Sequence, residues 1–303
     1  MRERRRNRVE LIIENKYLTG VVIGVLFGVL TRIMLLRTDY RQYPTYPHGR
    51  IIHISLGVIA AGLGAVAVPS LLGKDYTAIT FLSLAAQQFR DVRNMERETL
   101  SKLDEMELVP RGASYIEGIA MVFEGRNYLV IFSAFMTTMF CVLFAWYWGI
   151  LFGLLALLLS YHFRSGKTLG SISDVRLEEV RVEGPNLYVG DIYIMNVGLA
   201  DSQKLIRERG LGLIATPKTR DGRSALGNLG QRQALLHDLS TILGIYRDSG
   251  EPSLVPLSKL DIRDGRLGIF LLPIMKDGEK AKRVFLNAAL LESAIKMPTE
   301  VKL

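Results

Sequence analysis

Apolar and polar positions divide the chain near residue 163. Before it, long apolar runs alternate with short charged ones. Tyr17 to Leu36 is apolar except for Thr19, Thr31 and Arg32. At about 1.5 Å per residue this run matches the ~30 Å hydrocarbon layer of a bilayer. Arg32 lies near its far end, where a long side chain can reach the headgroups. Ile51 to Gly73 predicts a second span, rich in the Gly and Ala that let membrane helices approach closely. His53 falls one turn inside it. An interfacial histidine bonded to a carbonyl or water is the plain reading there, and a proton relay the alternative. Tyr128 to Phe163 is uncharged and too long for one helix. It predicts two helices of about 17 residues with a turn at Trp146-Tyr147-Trp148-Gly149, where aromatic rings favour the interface. Tyr76 to Phe89 is apolar over only about 14 residues, which predicts an interfacial or re-entrant segment after a break at Pro69. Residues 90–107 carry charges at helical spacing and predict a solvated helix.

From Ser165 the texture is that of a water-soluble domain. Val175–Val182, Leu187–Val189 and Asp191–Val197 read as strands, with Gly184-Pro185-Asn186 as a turn. Asp201-Ser202 caps a helix to Arg209 that Gly210 stops. Leu211–Ala215 is a buried strand ended by Pro217. Gln231–Arg247 is amphipathic, with Leu235, Leu239, Ile242, Leu243 and Tyr246 on one face. Asp264-Gly265 between apolar runs predicts a hairpin. Glu279–Lys296 predicts a closing helix, lined by Val284, Ala288, Leu291 and Ile295, and Pro298 prevents its continuation. The expected fold is an α-helical polytopic membrane domain of about four transmembrane helices, followed by a mixed α/β cytoplasmic domain. Its divisions are a basic segment 1–16, a membrane domain 17–163 with a cytoplasmic or interfacial segment 74–127, and a soluble domain 164–303.

Charge sets the expected orientation. Residues 2–8, RERRRNR, hold five arginines. A signal peptide is the competing reading, but the following apolar core is too long and no small-residue cleavage pattern follows. The Lys/Arg bias places this arm in the cytoplasm and Arg37–Arg50 outside. Arg90, Arg93, Arg97, Lys102, Arg111 and Arg126 place segment 90–126 inside. Four spans satisfy this and keep both termini in the cytoplasm, whereas five would export 90–126. The formal net charge of +8 is too small to indicate nucleic acid, and a basic surface beside anionic lipid accounts for it.

Candidate chemistry is sparse. Cys141 is the one cysteine, inside an apolar run, so an internal disulfide, a CxxC redox pair and a thiolate metal cluster are ruled out and it reads as a packing residue. No cofactor or metal motif is present. Thr216–Gly230 holds Lys218, Arg220 and Arg223 among glycines before a helix, a setting for an anionic ligand or lipid headgroup, or for a plain surface loop. His237, Asp238 and Ser240 are helix neighbours whose side chains diverge, so they form no catalytic triad. Glu117 interrupts the apolar window Ala113–Phe123, and Glu124 shares its helix face. A functional carboxylate at membrane depth and an interfacial bystander are equally compatible with that pattern.

Tyr115, Ile116, Glu117, Gly118, Ile119 and Ala120 spell YIEGIA. Together with the spans around it, this run resembles the signature of the YIEGIA family of endospore-forming bacteria, and the layout of the whole chain is compatible with it. The resemblance implies an inner-membrane protein with a role in the developing spore or its membranes. It also implies a small capping-type protein subunit as partner and a functional part for the six motif residues. It brings no reaction with it. The reading is a non-enzymatic regulatory or scaffolding protein. The alternative is a small-solute or ion transporter, or membrane-embedded enzyme, using Glu117.

Overall fold

Long uninterrupted apolar runs leave the backbone no partner but itself, and the N-terminal half is accordingly helical. The structure is a computed structural model that describes residues 2–40, 49–162, 167–246 and 256–295. The chain forms two units. One comprises Met1–Glu96 and Ala120–Ser165, the other Arg97–Ile119 and Gly166–Leu303.

The first unit is built from α1 (Arg2–Asp39), α2 (Gly49–Leu72), α3 (Tyr76–Asp104, as far as Glu96), α4 (Ala113–Leu143, from Ala120) and α5 (Trp146–His162). Asn15–Leu36, Gly49–Leu72 and Ala113–Leu143 are long and apolar enough to cross a membrane, and α5 is a shorter apolar helix. Ala60, Ala61, Ala65, Val130 and Ala134 form the core. Small residues set the approach: Gly28 meets Ala61 and Ala134, and Gly64 meets the backbone of Ile131. Thr138 adds an interhelical bond to the Gly20 carbonyl at 3.2 Å.

These contacts fix the helix directions. α1 is antiparallel to α2, since Gly28 meets Ala61 while Arg32 meets Gly57. α1 is also antiparallel to α4, since Gly20 meets Cys141 and Val142 while Gly28 meets Ala134. α2 and α4 are parallel: the ring centroids of His53 and Phe123 are 4.9 Å apart, and Gly64 lies against Ile131. Four alternating spans would require α2 and α4 to run in opposite directions.

Other expectations are corrected here. The reversal between α4 and α5 falls at Phe144-Ala145, and Trp146–Gly149 form the first turn of α5. Gly149 is spent on packing against Cys141. Pro69 lies inside α2; the break comes at Gly73–Asp75, where Lys74 adopts φ 52 and Asp75 accepts from the Ala78 N–H at 3.0 Å. α3 is one continuous helix across residues 76–89 and 90–104. Most of the expected external loop, residues 41–48, lies outside the described residues, as does the Phe163–Ser165 junction.

The second unit carries two antiparallel sheets. β1 (Ser173–Glu178), β5 (Leu211–Pro217), β7 (Leu267–Leu271) and β6 (Leu257–Leu260) pair in that order, and β2 (Val180–Glu183), β3 (Asn186–Val189) and β4 (Ile192–Asn196) form the other sheet. Leu187, Val189, Ile192, Ile194, Ile214 and Phe270 meet in the shared core. The Asp264-Gly265 turn joins β6 to β7, with Gly265 at φ 79.

The helices are α6 (Ala200–Arg209), α7 (Arg220–Gly227), α8 (Leu229–Leu243), α9 (Gly278–Asn287) and α10 (Glu292–Ile295). α6 starts after Leu199 with no side-chain cap, so Asp201-Ser202 are inside it. The expected basic loop contains α7, capped by Thr219. Asn228 caps α8, and Gly244 at φ 73 ends it at Leu243; Arg247 lies outside the described residues. The expected closing helix breaks after Asn287. Leu290 N–H donates to the Lys167 carbonyl, and Leu291 N–H donates to Gln231 Oε1 at 2.6 Å, while Gln231 Nε2 donates to the Ala289 carbonyl. These long-range bonds, with Leu290 and Leu291 buried, override a local pattern that has no helix breaker. Lys296 and Pro298 lie outside the described residues.

Candidate functional site

The signature residues are built into the start of α4. The Asp104 carboxylate accepts from the backbone N–H groups of Arg111 (2.8 Å) and Gly112 (2.7 Å), fixing the turn that launches the helix. Tyr115, Ile116 and Ile119 are buried. A Cβ at Gly118 would stand 2.5 Å from Ser293 Oγ and 3.1 Å from Leu291. A Cβ at Gly230 would stand 2.8 Å from the Tyr115 backbone nitrogen. The motif backbone therefore seats directly on α8 and on the segment before α10, within the second unit. His237 joins the same seat: its Nδ1–H donates to the Val109 carbonyl at 2.6 Å, and Thr241 Oγ1 lies 3.4 Å from Nε2. Burial pushes the neighbouring Asp238 carboxyl up, opposed by the charges of Arg111 and His237. Ala120, the last motif residue, is buried in the first unit.

Glu117 departs from this pattern. Its side chain is 37% exposed and pairs with Arg97 at 3.7 Å. Glu124 pairs with Arg93 at 3.0 Å. An exposed pair of this kind contributes about 0–1 kcal/mol.

The buried charges are elsewhere, in the first unit. Arg32 is 1% exposed; it does not reach out toward headgroups. Its guanidinium lies 3.5 Å from Asp39, donates to the His53 carbonyl and stacks on Phe123. Arg126 pairs with the other oxygen of Asp39. His53, between the rings of Tyr40 and Phe123, holds Glu96 at 3.1 Å from Nε2. The Asn127 amide is buried beside Arg126 in sequence and has no hydrogen-bond partner among the described residues. Two guanidiniums, two carboxylates and an imidazole are thus drawn from four helices. Charges this deep persist only when paired. Hydropathy shows Arg32 and His53 as isolated polar residues; Asp39, Glu96 and Arg126 read as loop and surface charges until the helices are assembled.

The basic residues before α8 are spent locally. Lys218 pairs with Asp174 at 2.9 Å and Arg223 donates to the Arg263 carbonyl at 3.0 Å, while Arg220 is exposed at the start of α7. A separate cleft of about 480 Å³ is lined by Arg176, Glu178, Glu179, Arg181, Asp191 and Arg266. Arg266 holds Asp191 by two bonds of 2.9 and 2.7 Å, and this grip lowers the Asp191 carboxyl and raises the guanidinium.

The model of the family described as YIEGIA protein matches residues 20–301. The chain is 52% identical over 284 residues to a protein of Bacillus subtilis (strain 168) described as "Uncharacterized protein YphB", covering 94% of this chain and 96% of that one. No solved structure matches it.

Proposed function

The chain belongs to the YIEGIA family, and from that premise we propose that it is a non-enzymatic regulatory or scaffolding component of sporulation. It resides in the plasma membrane of an endospore-forming cell, including its forespore, and acts through a small protein partner. The observation that supports this reading is the seat of the motif. Five of its six residues are buried, and Gly118 and Gly230 bring backbone onto side chain and backbone onto backbone. A signature spent on close packing serves to hold a surface in shape for a partner. Bound anion at Lys218, Arg220 and Arg223 would tune that surface. The test is to purify the full chain in gentle detergent from sporulating cells. A stoichiometric small protein that is retained by the unaltered chain and lost from Gly118→Leu at equal membrane accumulation supports the reading. Retention by both, or by neither, sinks it.

A second reading, movement of protons or small ions, is favoured by the buried His53–Glu96 pair and the Arg32–Asp39–Arg126 cluster. Its working groups are then His53 and Glu96, because Glu117 is half-exposed beside Arg97. Chain reconstituted in vesicles containing a pH-sensitive dye tests it: flux that Glu96→Gln abolishes supports this reading, and vesicles as tight as protein-free ones refute it.

A further inference from the structure

α2 and α4 enter the helical bundle from the same end. His53 near the start of α2 meets Phe123 near the start of α4, and Gly64 further along α2 meets Ile131 further along α4. Two membrane helices that run in the same direction cannot be consecutive crossings. The chain between them has to return through the layer. α3 makes that return in the first unit. It starts after the tight turn Gly73–Asp75 at the end of α2. Its residue Glu96 lies beside His53, at the beginning of α2. From Tyr76 to Glu96 a helix rises about 30 Å, and from Leu72 back to His53 it rises about 28 Å. The two lengths agree, and both match the ~30 Å hydrocarbon thickness.

The composition of α3 hid this. Its apolar stretch, residues 76–89, falls short of a span by itself. Two charges of the polar remainder have partners across the bundle: Arg93 bonds Glu124 and Glu96 bonds His53. The Thr80 and Ser83 hydroxyls donate to the carbonyls of Tyr76 and Ile79 at 2.8 and 2.9 Å, so neither needs water.

We propose that α3 is a membrane crossing, which makes five crossings in all. An odd number places the arginine-rich arm, residues 2–8, on one face. It places the Glu105–Gly112 segment and everything after residue 162 on the other. A protein partner of the C-terminal region then belongs to the compartment opposite the arm. This goes beyond the proposed function and stands or falls separately from it.

The experiment uses the full chain carrying a reporter that works only in the cytoplasm, or one that works only after export, at either end. Opposite reporters active at the two ends are the expected result; the same reporter active at both ends overturns the proposal. A second arm isolates α3. Met106 is 77% exposed, so Met106→Cys in a Cys141→Ser chain is placed to react with a membrane-impermeant maleimide. Labelling from the face opposite the N-terminal reporter is expected. Labelling from the same face as that reporter shows that α3 does not cross.

Discussion

The imidazole of His53 lies 3.1 Å from the carboxylate of Glu96, and both side chains are buried among helices 43 residues apart in sequence. Each would lose a buried partner if the other were removed. Glu96→Ala or His53→Ala should each cost about 1–3 kcal/mol, the cost of leaving a buried polar group without its partner. The double change to apolar residues of similar size should recover much of that loss, since replacing both partners removes the orphan. Thermal unfolding of the full chain in detergent, followed for the two singles and the double, checks this. Additive losses would show that the pair is not coupled.

Glu117 and Gly118 are neighbours with opposite expectations. Glu117→Gln and Glu117→Ala remove an exposed pairing with Arg97 and should change stability by no more than about 0.5 kcal/mol. Gly118→Leu drives a side chain into Leu291 and Ser293 and should cost about 1–3 kcal/mol. If Glu117 docks the partner by hydrogen bonding, Gln keeps co-purification and Ala loses it. Loss in both at equal expression would point to a proton-active carboxylate, and retention in both to an interfacial bystander.

Acid should act on the second unit through Arg266. Its hydrogen bonds hold Asp191 and Asp264 below the ordinary carboxylate pKa of about 3.9. A lowered carboxyl contributes stability above that value and loses it as pH falls through its own, lower pKa. Asp191 is 63% exposed, so solvent screening keeps the contribution under about 1 kcal/mol. Asp191→Asn should therefore lower stability slightly at neutral pH and flatten its decline below about pH 4. Melting temperatures measured across that range decide the matter; an unchanged acid limb would rule it out.

Replacing Lys218, Arg220 and Arg223 together by Ser should leave the second unit folded, because all three side chains are exposed. Inorganic phosphate or vesicles of anionic lipid should raise the melting temperature of the unaltered chain and not of the triple variant. Equal response from both proteins would show that the anion binds elsewhere. No response from the unaltered chain would show that this basic stretch serves only Asp174 and the Arg263 carbonyl.

What the sequence made legible was local. The apolar runs of α1 and α2, the break that divides residues 128–162 between two helices and the Asp264-Gly265 hairpin each follow from residues close together in the chain, whereas the start of α4 at Ala113, fifteen residues before the uncharged run, does not. The signature was legible as a run of letters, but its burial was not. That depends on Gly230 and Ser293, more than a hundred residues away. The same holds for α3. Its polar second half reads as a solvated helix until His53 and Glu124 supply partners for Glu96 and Arg93. Assignment of Arg97–Ile119 to the same unit as the C-terminal region leaves no compositional mark.

Gln231 offers a consequence for biosynthesis. Its amide closes a loop of 60 residues by accepting from Leu291 and also donating to Ala289. Until Ala289 and Leu291 are made, that amide has only water to bond, so this end of α8 cannot take up its buried place before they arrive. A chain stopped short of residue 289 would lack both partners, and this end of α8 would stay in water.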